Sequence, residues 1–427
     1  MGKLLVGAGK ADITPKKKLL PMPFFLMLKF GGIADKIHVR ALDIENGANR
    51  VLILTFDLVA IPNPTETMDY VCSLTGLNKD CVFMCATHSH TTPFGLSMPQ
   101  TMQASQKNKK LTAWYKDILS AIKTAVQTAK KTTRPAKMGF GVGASHINAN
   151  RDAVFLDGTS ALGINYERPS DKTLNVLKFI DYQDKPIAYL INYAVHAVAV
   201  NGSFEKLKIK ISGDIPGRTS LLIEKINPDS VCLWTSGAAG DQNPRAMSLY
   251  ELRDEKGNVK VKTLGYRGFY LLDSLVEEHT RDILKTERNI ACDKTEAEIS
   301  TLREVVTCPG RHTAATVEEA KRTGQPLPEP VDAEYTLRLI TIGDLAIQGI
   351  SAEVVTSIGK AIKETSPYKN TMVITQTDYY TGYIPDEWEY EHNAFEAVGA
   401  LVENGAAQPV FTECFANMFK RIKGDKQ

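Results

Sequence analysis

The run from Cys81 to Pro93 is apolar through Ala86 and then breaks at Thr87-His-Ser-His90, two histidines one residue apart. Read as a buried strand that delivers ligands to its own end, it places His88 and His90 on one side, because side chains alternate along a strand. Imidazole nitrogen is a good zinc ligand, so this spacing suits a metal pocket. Histidines so close together also occur as hydrogen-bonded loop residues, and the pair alone does not separate the two readings.

Three more polar residues stand where apolar runs end: His196 after Tyr193-Ala-Val195, Glu353 after Ser351-Ala352, and Tyr383 after Thr381-Gly382. Each has an ordinary explanation. His196 fits a satisfied core histidine, Glu353 a first-turn acid favoured by a helix dipole, and Tyr383 a buried tyrosine. Asp57, at the end of the apolar run that begins at Val51, suits a site or equally a turn or the cap of a helix starting near Thr65. The joint appearance of His196, Glu353 and Tyr383 with the His-x-His end is what favours chemistry.

The elements that would hold these groups alternate between strand and helix patterns. Residues 4–15 read as a strand closing into a glycine-rich turn, and 51–57 as a strand buried on both faces. Residues 111–131 repeat Leu111, Trp114, Ile118, Ile122, Val126 and Ala129 at helical spacing against lysines, which predicts a helix packed on a sheet. A hairpin is expected at 174–180 and 187–195, around the polar turn that ends at Pro186. Further strands are expected at 231–235, 297–306, 334–342 and 345–350, with helices near 216–226, 264–284, 353–364 and the C-terminus. Residues 308–332, rich in Pro, Gly, Thr and charge, read as an inserted loop or lobe. The economical fold is one α/β domain over 1–427, with two substantial β-sheets flanked by helices.

A 427-residue chain that is 43% hydrophobic and 23% charged, with formal net charge +2, suits a soluble globular protein and lacks the basic stripe of a nucleic-acid binder. The N-terminus lacks the apolar core of a signal peptide, and the apolar stretch 19–28 is short and broken by Pro21 and Pro23, so neither secretion nor a membrane span is expected. Seven cysteines, an odd number, several within apolar runs, read as free thiols of the cytoplasm. Cys81 and Cys85 do not have zinc-ribbon spacing.

The segment Ala86–Pro93 resembles the ATHTHSGP signature of the neutral ceramidase catalytic domain. The likeness continues in order along nearly the whole chain: the VGAGKADITP opening, Asp35 and Arg40, Phe56-Asp57, Asn150-Arg151, Tyr193 to His196, Ser212 to Gly217, Gly237 to Asp241, Ser351 to Glu353, and Tyr383 with Tyr390. The resemblance implies a neutral-ceramidase-like fold and a Zn2+ ion held by His88, His196, Glu353 and Tyr383. It also implies that His90 and Arg151 face the substrate and a zinc-bound water.

Two positions depart from that pattern. The family hexapeptide GDVSPN reads here from Gly240 to Arg245, with Asn243 in place of the serine, and a family tyrosine falls on Phe395. Asparagine is no alkoxide nucleophile, but its amide donates to an oxyanion. Arg245 adds a charge suited to a substrate carboxylate or phosphate, or to a salt bridge with a neighbour such as Asp241. The family's C-terminal immunoglobulin-like domain and secretory leader are not expected. The chemistry implied is a zinc-dependent hydrolase of a small soluble amide, ester or lactone rather than ceramide. The alternatives are a zinc enzyme acting on a carbohydrate derivative and a catalytically silent zinc protein that binds a ligand.

Overall fold

The computed structural model describes residues 2–24, 28–97, 105–155, 158, 160–253 and 259–424, so the apolar stretch 19–28 lies partly outside the described residues. An eight-stranded sheet forms the centre, in the spatial order Val231–Ser236, Pro186–Tyr193, Thr173–Asp181, Arg134–Ala144, Leu5–Asp12, His38–Glu45, Arg50–Phe56, Val82–Ala86. Its inner pairs are antiparallel, including the expected hairpin Thr173–Asp181 with Pro186–Tyr193. The outermost pair at each edge is parallel. A second sheet has the order Ile299–Cys308, Ala333–Ile342, Leu345–Ile350, Asn370–Ile374, and its last pair is also parallel.

Parallel pairing requires a crossover, and a helix provides each one. Pro64–Thr75 links Arg50–Phe56 to Val82–Ala86, Asp214–Ile226 lies between Pro186–Tyr193 and Val231–Ser236, and Thr356–Glu364 links Leu345–Ile350 to Asn370–Ile374. The polar residues singled out above follow the carboxyl ends of these strands, and backbone bonds tie the ends together. Thr87 N donates to Phe56 O (2.9 Å), His90 N to Ala197 O (3.1 Å), and Thr375 N to Ser236 O (2.9 Å).

The two sheets pack face to face. Phe83, Leu177, Leu190 and Leu233 from the first meet Ile340, Ile347, Met372 and Ile374 from the second, all fully buried. Gly349 is required there, because a Cβ would lie 2.5 Å from the Phe83 ring. Lys109–Thr132 covers part of the outer face of the first sheet, with Trp114, Ile118 and Ile122 inward and Asn108 capping its N-terminus. Asp214–Ile226 and Gly268–Glu287 cover another part, and Ala407–Gly424 with Thr356–Glu364 covers the second sheet. The expected architecture of two sheets flanked by helices is what the chain adopts.

Several local expectations are corrected. Gly7 and Gly9 lie within Leu5–Asp12, not in a turn; a Cβ on Gly7 would meet Ala129 O at 2.0 Å, so the glycines allow the long helix to approach the strand. Residues 308–332 contain the helix Ala314–Thr323. Glu353 does not begin a helix: Glu353–Val354 is a short strand, and the helix starts at Thr356. Asp57 does not cap the following helix, which has Asn63 as its N-cap. Its Oδ2 instead accepts from Arg40 Nη1 (2.8 Å) and His38 N (2.9 Å) in the fully buried interior. All seven cysteines are free.

Candidate metal centre

The strand Val82–Ala86 stops before the histidines, so strand alternation does not explain their convergence. His88 has φ 60°, a left-handed conformation that is uncommon outside glycine and that turns the chain sharply. His196, beyond the strand Pro186–Tyr193, arrives from the other side of the same sheet, and Ser89 forms a parallel bridge with Ala197. Glu353 and Tyr383 are direct partners in a parallel strand pair, which carries both side chains to the same face.

The result is a compact donor cluster. Ligand nitrogens of His88, His90 and His196 lie within 4.8 Å of one another. Glu353 Oε2 is 3.0 Å from His88 Nε2 and 2.8 Å from His196 Nε2, while His90 Nε2 is 3.0 Å from His88 Nε2. The other ring nitrogens are anchored to main-chain carbonyls, His88 Nδ1 to Val59 O (2.7 Å) and His196 Nδ1 to Ala239 O (2.6 Å). Each anchor fixes Nδ1 as the protonated nitrogen and leaves a lone pair on Nε2 of the neutral ring.

Two lone pairs and a carboxylate oxygen so close repel unless a proton or a cation sits among them. Burial first, and the Arg151 charge second, lower His196 to about 4, which disfavours the proton. Burial alone would raise Glu353, and it is positive charge among its histidine neighbours, as a proton or a cation, that keeps the carboxyl well below its usual range. A divalent cation satisfies the whole set, so the donors fit a metal of the zinc type. Burial, then His88 and His196, also hold His90 well below the usual imidazole range, so its ring is neutral at pH 7.

Arg151 forms the second half of the site. Its Nε donates to Glu396 Oε1 (2.6 Å), one Nη to the Tyr383 hydroxyl (3.2 Å) and the other to Asn243 Oδ1 (3.4 Å). Asn243 is positioned by the pairing of Gln242–Pro244 with Asn148–Val154. Burial, then the charge of Glu353, push the phenols of Tyr383 and the adjacent Tyr380 well above the usual range. A cavity of about 420 Å³ opens over His90, Arg151, Asn243 and Tyr383, with Phe395 among its apolar walls. Arg245 is not in that lining; it pairs with Glu278 (2.6 Å) and not with Asp241. Another cavity of about 350 Å³, beside Lys360 and Asn175, contains none of the histidines.

Sequence reasoning missed Tyr380, although it lies in the tyrosine-rich run that ends at Tyr383, and Glu396, which directly follows Phe395. It also missed a buried acidic group formed by Asp152, Asp241 and Glu389. None of these has a local pattern of its own; their roles come from tertiary contacts.

A mixed α/β sandwich with a cluster of histidines and a glutamate at its strand ends, beneath a cavity, defines a fold with a candidate metal-binding site. Residues 4–247 match the family model described as neutral/alkaline non-lysosomal ceramidase, N-terminal, and the chain belongs to that family. It is 26% identical over 270 residues to a neutral ceramidase of Drosophila melanogaster, covering 57% of this chain and 36% of that protein. With neutral ceramidase B of Dictyostelium discoideum it shares 27% over 235 residues, covering 52% of this chain and 31% of the other. The matches thus span about a third of the length of these curated relatives. The fold is similar to that of the neutral ceramidase from Pseudomonas aeruginosa, with TM-score 0.75 at 18% identity over 98% of this chain and 74% of that one. A ceramidase complexed with C2 gives TM-score 0.75 at 16% identity, covering 100% of this chain and 76% of that one.

Proposed function

We propose that the chain is a zinc-dependent hydrolase of a soluble amide, ester or lactone, acting as one catalytic unit in the cytoplasm, and that ceramide is not its substrate. The convergence of His88 and His196 Nε2 on Glu353 Oε2, with both Nδ1 atoms anchored to carbonyls, carries the reading. In this reading His88, His196, Glu353 and Tyr383 hold the ion. When bound, zinc supplies Lewis acidity for an acyl carbonyl and lowers the pKa of an adjacent water.

The remaining work falls to the chain's own groups. His90, neutral and in the cavity lining, takes a proton from the attacking water and returns it to the leaving group. Arg151 fixes the Tyr383 hydroxyl and favours negative charge beside it. Asn243 accepts from Arg151 through Oδ1, which leaves its amide NH2 to donate to a developing oxyanion. Phe395 and the neighbouring apolar side chains exclude water and receive an apolar group.

The cavity lies toward the lower end of the roughly 300–1,000 Å³ usual for small-molecule sites. Among the described residues no helix is long and apolar enough to cross a membrane. Asn243 and Phe395 lack the hydroxyls that the ceramidase pattern places there. A panel of soluble N-acyl amides, esters and lactones, run beside long-chain ceramide, tests the proposal. Turnover of a panel member without turnover of ceramide is expected. Robust hydrolysis of ceramide would overturn the substrate assignment, and silence of the zinc-loaded protein on every compound would overturn the enzyme.

A further inference from the structure

On the side of Arg151 held by Glu396, four carboxylates are buried together. One oxygen from each of Asp152, Asp241 and Glu389 lies within 4.8 Å of the others, and all three side chains are at most 2% exposed. Glu396 is fully buried beside them, with its carboxyl facing that of Asp152. Asp241 is well supplied with donors: Thr356 N (2.9 Å) and Oγ1 (2.8 Å) on one oxygen and Asn150 Nδ2 (2.9 Å) on the other. Glu389 Oε2 accepts from Asp386 N (3.0 Å). Three carboxylate oxygens remain without a hydrogen-bond donor: Asp152 Oδ2, Glu389 Oε1 and Glu396 Oε2.

Two guanidiniums face this group. Arg151 is committed to Glu396 Oε1, at 2.6 Å. Arg168 stands 3.4 Å from Asp152 Oδ2 and 3.8 Å from Glu389 Oε1, too far for strong pairing, while it also serves Asp386 (3.2 Å) and stacks on Trp388 (3.7 Å). Four carboxylates against two shared cations leave net negative charge in a region closed to solvent. Burial, and then repulsion among the acids, push Asp152 up to about 8 and Glu389 up to about 11. Something positive must enter with the fold, as protons or as a metal.

We propose that Asp152, Asp241 and Glu389 form a second cation site beside Glu396, separate from the histidine cluster, and that its ion is calcium. All the donors are hard carboxylate oxygens, which suits calcium or magnesium and not zinc. A set of carboxylates closed to solvent favours calcium, because magnesium dehydrates reluctantly and usually keeps several of its waters. The unpaired Glu396 Oε2 is the point of contact with the site above, because the other oxygen of the same carboxylate holds Arg151. Glu396 is thus a positioning residue, and the ion would fix Arg151 through it. The inference stands whether or not the hydrolase reading does.

Equilibrium dialysis of the full-length protein against calcium-45, with zinc content measured in parallel, tests it. One calcium per chain is expected, and Asp152→Asn and Glu389→Gln should each weaken its binding at least tenfold without loss of zinc. Terbium bound in place of calcium should emit on excitation of Trp388, with the emission quenched by calcium and largely lost in Trp388→Phe; this readout serves if the carboxylate variants do not fold. No stoichiometric calcium in the wild type would overturn the proposal in favour of shared protons. Calcium binding that survives unchanged in both carboxylate variants, or terbium emission indifferent to Trp388→Phe, would place the ion elsewhere.

Discussion

His90 Nε2 lies 3.0 Å from His88 Nε2, yet the two histidines should fail differently when removed. His88 and His196 are each anchored through Nδ1 and have few ways to serve except as ligands, so His88→Ala and His196→Ala should each cost most of the bound zinc, read by elemental analysis. Unchanged metal content in both variants would refute the ligand assignment. His90 has no comparable anchor and lines the cavity. His90→Ala should keep its zinc and lose on the order of 10²–10⁴ in turnover of whichever substrate the panel yields. Asn243→Ala should lose about 10²-fold, as for removal of one oxyanion donor. Loss of zinc along with activity in His90→Ala, or of neither, would remove His90 from the acid–base role. His88, His90 and His196 were legible because they end apolar runs, but the reason offered for the first pair was wrong: a left-handed turn at His88, not strand alternation, brings them together. Glu353 and Tyr383 also stood out as polar ends of apolar runs, but their role as ligands depended on the family resemblance, since nothing in their own neighbourhoods announces that they are register partners. Glu396 and the acids around it had no local signal at all.

Among the elements, the strand His38–Glu45 carries the buried charge that most tightly constrains the central sheet. Arg40 is fully buried and joins Asp57 Oδ2 (2.8 Å) to Glu224 Oε1 (2.9 Å), so one guanidinium ties the segment after Arg50–Phe56, whose Val59 O anchors His88, to the helix Asp214–Ile226; Lys10 adds a second bond to Glu224 (2.6 Å). Arg40→Met keeps most of the volume and leaves two buried carboxylates without their partner, which should cost about 3–5 kcal/mol in chemical denaturation at neutral pH. The pH dependence has a definite sign. Burial raises Glu224, but Arg40 and Lys10 together outweigh it and leave the folded pKa below the usual value. Its stabilisation is therefore present above the unfolded carboxyl pKa of about 4.3 and lost as pH falls through the lower folded value. In Arg40→Met that depression disappears, so the gap from wild type should be widest near neutrality and narrow below about pH 4.5. A gap independent of pH would show that Arg40 acts through packing alone. Hairpins and amphipathic helices were legible at this scale because their periodicity is local. Gly7 and Gly9 were misread as a turn because the close approach of a distant helix, which is what glycine serves there, has no signature in the flanking residues.

Across the whole molecule, the donor cluster joins two layers that also meet through apolar packing and a few hydrogen bonds, such as Asn192 Nδ2 to Val373 O (3.0 Å) and Arg338 to Val82 O (2.8 Å). His88, His90 and His196 follow strands of the eight-stranded sheet, whereas Glu353 follows Leu345–Ile350 of the second sheet and pairs with the strand that bears Tyr383. A metal bound across them is a link between sheets as well as a reagent. Its removal takes away that link and leaves Glu353 Oε2 within 3.0 Å of two imidazole nitrogens, so the junction of the sheets should loosen first. A ligand present at about 1,000 times its dissociation constant stabilises the folded state by roughly 4 kcal/mol, and in a chain of this size each kcal/mol moves the melting temperature by about 1 °C. Chelation of the wild-type protein should therefore lower the melting temperature by several degrees, with recovery on adding zinc back. The same treatment of His196→Ala should have little effect, because that variant has already lost the link. If chelation strips the metal and leaves the wild-type melting temperature unchanged, the cluster does not join the sheets energetically, and the junction rests on the shared apolar core of Phe83, Leu190, Ile347 and Ile374 and the hydrogen bonds beside it.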